Sequence, residues 1–159
     1  MRVKDKGFVE NFLKRDGRLN RWRYFKRMLA LLLISEAVVV VVSIVTVIIS
    51  IFLMPNASLT SDEELRNNAI IFTKAVCFLM TPAYFCLMVR RLHDLNKSET
   101  IAYVLTAIIC VNIFTLDVEP TEDSVLENIL QWINFVFTLY LFLFPGTKGD
   151  NQYGADPLE

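Results

Sequence analysis

The residues best suited to chemistry lie together in one short stretch, RRLHDLNKSE, at positions 90–99. His93 is the only histidine of the chain and Asp94 follows it directly, so the pair could exchange a proton with a bound molecule. Arg90 and Arg91 could instead hold an anion such as a phosphate group. A third interpretation is a structural cluster in which arginines neutralise Asp94. Because no nucleophile or second catalytic group stands out nearby, we expect a non-enzymatic role and leave all three interpretations open.

Long apolar blocks on both sides of this stretch indicate the class of protein. The chain has 159 residues, of which 54% are hydrophobic, and this fraction is high for a soluble domain. Four blocks, each with at most one charged residue, occupy positions 28–54, 69–89, 100–116 and 125–144. A helix needs roughly 20 such residues to cross a bilayer, whereas the helices of a soluble bundle would each carry a charged face. The sequence therefore predicts an all-α, polytopic membrane protein.

Local signals give approximate limits for the elements. We expect one membrane domain over residues 1–159, with helices near 22–54, 62–93, 97–117 and 125–144. A capping residue followed three positions later by Glu occurs at 61–64, 96–99 and 124–127, and Asn20 is the expected cap of the first helix. Pro82 predicts a kink in the second helix. Pro145-Gly146 should end the fourth helix before a tail of turns at 145–159.

Basic residues are concentrated at one end of the predicted bundle. Residues 1–27 contain ten Lys or Arg against three acidic residues, and the stretch 90–99 contains three Lys or Arg. The loops at 55–68 and 117–128 together contain one Lys or Arg and eight acidic residues. Because basic loops stay on the cytoplasmic side, we expect an antiparallel four-transmembrane-helix bundle with both termini cytoplasmic.

The first 27 residues have a pattern of their own. Apolar residues before Gly17 make an amphipathic segment, which we expect to lie along the membrane surface. Trp22, Tyr24 and Phe25 are expected at the depth of the lipid headgroups. The apolar block that follows is too long for the core of a secretory signal, so we expect it to remain in the mature protein.

Three motifs resemble the signatures of a known family. They are GRLNRWRYF at 17–25, RRLHD at 90–94 and GTKGDNQYGADP at 146–157. In these motifs and their order the chain resembles the bacterial inner-membrane proteins called domain of unknown function 805, or YhaH-like membrane proteins. The resemblance implies a four-helix protein of the bacterial inner (cytoplasmic) membrane and brings no established activity. The chain departs from the usual pattern at Arg23, Ala155 and residues 98–101.

The predicted topology brings the three motifs to one cytoplasmic face. We expect the tail to fold over the arginines and to supply Asp150, Asn151 or Asp156 as their partners. Asp94 should itself have a cationic partner, because the dipole near a helix C-terminus disfavours a carboxylate; Arg90, Arg91 or an arginine of the amino-terminal segment could supply it. The predicted cluster comprises Arg18, Arg21, Arg90, Arg91, His93, Asp94, Gly146, Thr147, Gly149, Asn151 and Tyr153.

Two charged residues, Glu36 and Lys74, lie within predicted membrane helices. Charges at such depth are often functional and face the bundle interior. Glu36 could form an interior polar site, or it could be neutral or locally satisfied; Lys74 could extend toward the outer headgroups. The cysteines at 77, 86 and 110 match no metal or disulfide motif, so we expect apolar packing for them and no metal or cofactor.

Two functional hypotheses follow. The first is a non-enzymatic inner-membrane protein whose cytoplasmic cluster binds anionic lipid headgroups or a partner protein. The second is a small oligomeric transporter or channel that uses Glu36, with Ser35, Ser43 and Thr46 along the same helix. A homo-oligomer is compatible with both. An adjacent bilayer explains the seven basic residues between positions 14 and 27, so we expect no nucleic-acid partner.

Overall fold

The computed structural model describes residues 7–53, 62–115 and 125–157, and the long elements in these ranges are all helices. The all-α prediction is confirmed for them. A short π-helical turn, Val9–Leu13, comes first and is called the N-terminal turn below. The four long helices are α1 (Arg21–Leu53), α2 (Asp62–Asp94), α3 (Thr100–Thr115) and α4 (Val125–Leu143). The predicted helix ends at 54 and 117, and the capping residues Ser61 and Ser124, lie outside the described residues.

α2 is the central helix of this arrangement. It packs against α1, α3 and the N-terminal turn, and α4 packs against α3 and α1. The tightest packing lies at the end of the molecule where α1 begins and α2 ends. The apolar core there includes Leu19, Tyr24, Leu31, Leu87, Val89, Leu92, Ala102, Leu105 and Leu141.

Much of the remaining apolar surface faces outward. The exposed large side chains include Leu33, Val41, Ile44, Trp132 and Val136. Among the described residues, two helical segments, Arg21–Ile49 of α1 and Arg66–Asp94 of α2, are long and apolar enough to cross a membrane, with mean hydropathies of 2.8 and 1.8. Thr100–Thr115 and Asn128–Leu143 are apolar but shorter.

The start of α1 follows the sequence prediction. The backbone amide of Arg23 donates a hydrogen bond of 2.9 Å to Oδ1 of Asn20, which satisfies a donor that the first helical turn leaves without a partner. Gly17 has a φ of 88°, a conformation that glycine adopts without strain. The bend at Gly17 lets the N-terminal turn pack against α2.

Aromatic residues near the start of α1 divide into two groups. Trp22 and Phe25 are exposed. Tyr24 is buried within the protein, with its ring 5.2 Å from that of Phe142. Exposed and buried aromatic residues therefore lie within one turn of α1. Aromatic side-chain type alone does not predict which of them faces the core. The headgroup depth expected of the three residues stays a prediction.

The junction between α2 and α3 differs from the predicted pattern. The capping pattern assigns Asn96 to the start of the third helix, near residue 97. Asn96 instead has a φ of 55° and lies just after α2, where its amide donates to the carbonyl of His93 at 3.1 Å. Asparagine tolerates the left-handed conformation better than most residues, so it suits a helix end as well as a helix start. α3 begins at Thr100, whose amide donates to Oγ of Ser98 at 3.2 Å.

Residues 145–157, called the tail below, form turns as predicted. α4 ends at Leu143, just before Pro145-Gly146. Within the tail, the amide of Asn151 donates to the carbonyl of Gly154 at 3.1 Å, and the reverse bond is 3.0 Å long. The tail therefore has a fixed path, and this path leads it back over the end of α2.

Candidate functional site

A carboxylate between two arginines forms the centre of the site. Asp94 is the last residue of α2, Arg91 lies one turn earlier, and Arg18 comes from the segment before α1. Nη2 of Arg18 is 3.2 Å from Oδ1 of Asp94, and Nη1 of Arg91 bonds to Oδ2. Each of the three side chains is at most 3% exposed. We call these three residues the buried cluster; it confirms that Asp94 has arginine partners.

The tail surrounds Arg18 with backbone oxygens. Nη1 of Arg18 donates to the carbonyls of Gly149 and Gly154 at 2.5 and 3.3 Å, and Nη2 donates to that of Thr147 at 2.5 Å. The predicted folding of the tail over the arginines is therefore confirmed. The predicted partners were side chains, whereas these acceptors are main-chain carbonyls. Guanidinium groups carry five donors in a planar fork, and the three segments that meet here supply enough acceptors for them.

Arg91 satisfies the end of a neighbouring helix. Its Nε donates to the carbonyl of Leu141 at 2.7 Å, and its Nη2 donates to that of Phe144. The last carbonyls of a helix have no partner within the helix and attract positive charge. Arg91 of α2 therefore stabilises the last turn of α4 while it neutralises Asp94. The backbone of Asp94 also bonds to the tail, because its carbonyl accepts a 2.8 Å hydrogen bond from the amide of Thr147.

Gly146, a member of the predicted cluster, lies against the carboxyl group of Asp94. A Cβ added at this position would lie 2.6 Å from Cγ of Asp94 and 2.9 Å from Oδ1. These distances are too short for non-bonded atoms, so any side chain at position 146 would displace the carboxylate or the tail. The close approach requires a glycine.

His93 has structural contacts on several sides. Its ring stacks on that of Tyr153, with 3.9 Å between centroids and 8° between planes. Its Nδ1 lies 3.3 Å from the carbonyl of Gly17, and its own carbonyl accepts a 2.9 Å hydrogen bond from Nδ2 of Asn151. With the carboxylate of Asp94 occupied by two arginines, these contacts favour the structural interpretation of the pair over proton transfer.

The N-terminal segment adds a second layer of contacts. Arg90 donates to the carbonyl of Glu10 at 3.2 Å, and the amide of Leu19 donates to the carbonyl of Arg90 at 3.0 Å. Arg15 forms an exposed ion pair with Glu99 at 2.5 Å. The hydrogen bond from Arg15 lowers the pKa of the Glu99 carboxyl. The pair could not be predicted from the sequence, because 84 residues separate its members.

A pocket of about 370 Å³ opens beside the buried cluster, between the start of α1 and the tail. Arg21 and Lys148 line it, and both are exposed, as is Trp22 next to them. Asp156 also lines it and accepts a 2.9 Å hydrogen bond from the amide of Gly149. Asp94 of the buried cluster lines the pocket as well. Arg21 and Lys148 are its exposed cationic groups, so an anion could reach them without moving the tail, whereas Arg91 is buried. Lys148 and Trp22 are members of this surface that the predicted cluster lacks.

The two charges of the apolar helices are not part of the buried cluster. Glu36 is exposed on α1, where it interacts electrostatically with Tyr84 and Cys77 of α2. Lys74 is half-buried, and its Nζ donates to the carbonyl of Phe114 near the end of α3 at 3.3 Å. The three cysteines have free thiols and are half-buried.

Comparison with known proteins gives one match. A family model described as "Protein of unknown function (DUF805)" matches residues 12–155, a range that includes every residue of the predicted cluster. No curated protein and no solved structure matches the chain.

Proposed function

The chain belongs to the DUF805 family, and from that premise we propose that it is a multi-pass protein of the bacterial inner membrane whose cytoplasmic end binds anionic lipid headgroups. In this proposal α1 to α4 all cross the bilayer and both termini are cytoplasmic. The role is non-enzymatic, since the contacts of His93 and Asp94 hold the fold together.

One observation carries the membrane part of the proposal. Only 6% of the most apolar window of Arg21–Ile49 is buried inside the protein, although its mean hydropathy is 2.8. The apolar face of a helix in a soluble protein packs against a core, so an apolar helix this exposed needs hydrocarbon around it. α3 has 16 residues, about 24 Å of helix, and packs between the longer α2 and α4.

The buried cluster supports the proposed orientation. It joins the segment before α1, the end of α2 and the tail after α4, so these three segments lie on the same side of any membrane that the helices cross. Residues 1–27 contain ten Lys or Arg, and basic segments stay in the cytoplasm.

Exposed positive charge supports the proposal that the cytoplasmic end binds anionic lipid headgroups. Arg18 and Arg91 are already bonded within the protein, so their role is to hold the tail in position. Arg21 and Lys148 lie at the surface of the pocket beside Trp22, a residue type common at headgroup depth. Each basic residue near an anionic membrane contributes about 1 kcal/mol of attraction. Nothing in the described structure favours the alternative of an oligomeric transporter that uses Glu36.

Spin-labelled lipids test the headgroup proposal. In reconstituted vesicles, we expect a larger motionally restricted fraction of labelled phosphatidylglycerol than of labelled phosphatidylcholine. The double variant Arg21→Ala with Lys148→Ala should lose most of this preference. The matched control is Lys97→Ala, which removes an exposed lysine outside the pocket. Equal fractions for both lipids in the unmodified protein would contradict headgroup binding, and an unchanged preference in the double variant would contradict this site.

Cysteine accessibility tests the orientation separately. In a variant whose three native cysteines are replaced by alanine, single cysteines at Lys148 and Ser98 should react with a membrane-impermeant reagent only from the cytoplasmic side. A cysteine at Asn56 should react from the opposite side. Labelling of Lys148→Cys and Ser98→Cys from opposite sides would overturn the shared cytoplasmic face.

A further inference from the structure

Glu36 is the only charged residue of α1 after Arg27. The helix has 33 residues, about 50 Å of length, and Glu36 lies close to its middle. A hydrocarbon core is about 30 Å thick, so every section of α1 long enough to cross it includes this residue. In the proposed membrane location, the carboxyl group of Glu36 therefore lies within the bilayer.

The protein offers Glu36 little of what a polar group at this depth needs. Its side chain is exposed and does not line the cavity of about 320 Å³ between α2, α3 and α4. Its interactions with Tyr84 and Cys77 of α2 are electrostatic, and among the described residues it forms no hydrogen bond or ion pair. Ionisable groups within membrane helices almost always pair with one another or with backbone carbonyls. The described chain therefore leaves Glu36 available to a group from another molecule.

Exposed apolar residues continue along the side of α1 on which Glu36 lies. Because a helix has 3.6 residues per turn, steps of three, four, seven and eleven residues from Glu36 stay on that side. We call the residues at these steps the Glu36 stripe; all are exposed, and they are Leu29, Leu33, Glu36, Val40 and Val47. Their spacing is that of helices that pack side by side along their length.

We propose that two copies of the chain pack along the Glu36 stripe, with a hydrogen bond between the two Glu36 carboxyl groups, in which a protonated carboxyl group donates to its neighbour. The proposal rests on the proposed membrane location of α1. A two-fold axis along the membrane normal brings each residue of the stripe close to the same residue of the second copy. The second copy therefore supplies a hydrogen-bonding group at the depth of Glu36 and apolar side chains elsewhere. The contact uses one helix of each copy and encloses no passage, so it implies no transport.

Energy transfer between labelled chains tests the association. The full chain, with its three native cysteines replaced by alanine, carries donor or acceptor dyes at Ser98→Cys in phosphatidylcholine vesicles with phosphatidylglycerol. We expect saturable transfer between two chains as the protein-to-lipid ratio rises. Glu36→Leu should need about tenfold more protein for half-maximal transfer, whereas Glu36→Gln, which keeps a donor and an acceptor, should need less than about threefold more. Transfer no greater than random collision gives, or transfer unchanged in Glu36→Leu, would overturn the proposal.

Disulfide cross-linking tests the face of the contact. In the same cysteine-free background, single cysteines at Leu33 or Val40 should form linked dimers on oxidation in the vesicles. The matched control is a cysteine at Val45, which is also exposed but lies nine residues, or two and a half turns, from Glu36 on the opposite side of α1. Linked dimers as abundant from Val45→Cys as from Val40→Cys would overturn the stripe as the contact.

The two experiments also separate the dimer from the proposed function. A chain that enters the vesicles but stays monomeric would overturn the dimer and leave the spin-label test of headgroup binding intact. A chain that fails to enter them would contradict the proposed membrane function, and the dimer with it.

Discussion

The buried cluster and the cavity between α2, α3 and α4 differ in how completely the fold satisfies the polar groups that they contain. At the end of α2, the carboxylate of Asp94 has two arginine partners, and these arginines have carbonyl acceptors from the tail, α4 and the segment before α1. The cavity, which Lys74 and Asn112 line, has a volume of about 320 Å³, and among the described residues Oδ1 of Asn112 has no hydrogen-bond partner. Polar groups with complete hydrogen bonding hold the segments of the fold together, whereas a buried acceptor beside open space can bond to another molecule.

The largest effect should come from removing one charge in each region. Arg91→Met leaves Asp94 short of a partner and exposes the last carbonyls of α4, so we expect a loss of about 3–5 kcal/mol in the free energy of unfolding. Lys74→Met removes a half-buried lysine and should change that free energy by less than about 1 kcal/mol. Denaturation in mixed detergent micelles measures both. Similar losses in the two variants would remove the distinction between the regions.

A single methyl group tests how closely the buried cluster is packed. Gly146→Ala brings a Cβ against the carboxylate of Asp94, and we expect it to lower the free energy of unfolding by about 1–3 kcal/mol. Lys148→Ala, two residues later on the exposed surface, should change it by at most about 0.5 kcal/mol. Equal stability of the two variants would show that the tail adjusts freely around Asp94.

The stacked pair at the edge of the cluster should contribute less. Tyr153→Ala removes the ring that covers His93, and we expect a loss of about 0.5–1.5 kcal/mol in the free energy of unfolding. Tyr153→Phe keeps the aromatic face and should retain most of the stability. A loss in Tyr153→Phe as large as that in Tyr153→Ala would assign the contribution to the hydroxyl group instead of the stack.

The exposed ion pair of Arg15 and Glu99 gives the smallest expected effect. Hydrogen bonding to Arg15 lowers the pKa of Glu99 in the folded chain, so the pair stabilises the fold above the ordinary pKa of a carboxyl group, and this contribution is lost as the pH falls through the folded-state pKa. An NMR titration of the Glu99 carboxyl should show a pKa below the ordinary value. Arg15→Ala should return the pKa toward that value, whereas Lys14→Ala should not. A pKa of Glu99 unaffected by Arg15→Ala would contradict the pair.

Much of the buried cluster could be predicted from the sequence, because the order of the apolar blocks and the charges of the loops both indicate which segments lie at the same end. The alternation of apolar blocks with basic and acidic loops predicts that Arg18, Asp94 and the tail lie at one end of the molecule, and these residues are in contact. The carbonyl acceptors of Arg18 in the tail could not be predicted in the same way. Every residue has a main-chain carbonyl, so no residue type marks these acceptors in advance.

Two other features could not be predicted correctly from the sequence, each for a different physical reason. Asn96 has the side chain of a helix cap but takes the left-handed conformation after α2, because asparagine is suited to both positions. The cavity beside Lys74 depends on which helices become neighbours and how closely they pack. Apolar periodicity does not specify such distances, so the sequence indicates the charge of Lys74 but not the space beside it.

The hydrogen bonds between Arg18 and the tail can form only late in the synthesis of these segments. Its partners Thr147, Gly149 and Gly154 lie 129, 131 and 136 residues later in the chain, so the ribosome synthesises Arg18 well before these acceptors. Until the tail has been made, the donors that these carbonyls occupy must bond to water or to other groups. The tail contacts therefore form only after α1 to α4 have been synthesised, and a chain that ends before Thr147 lacks them.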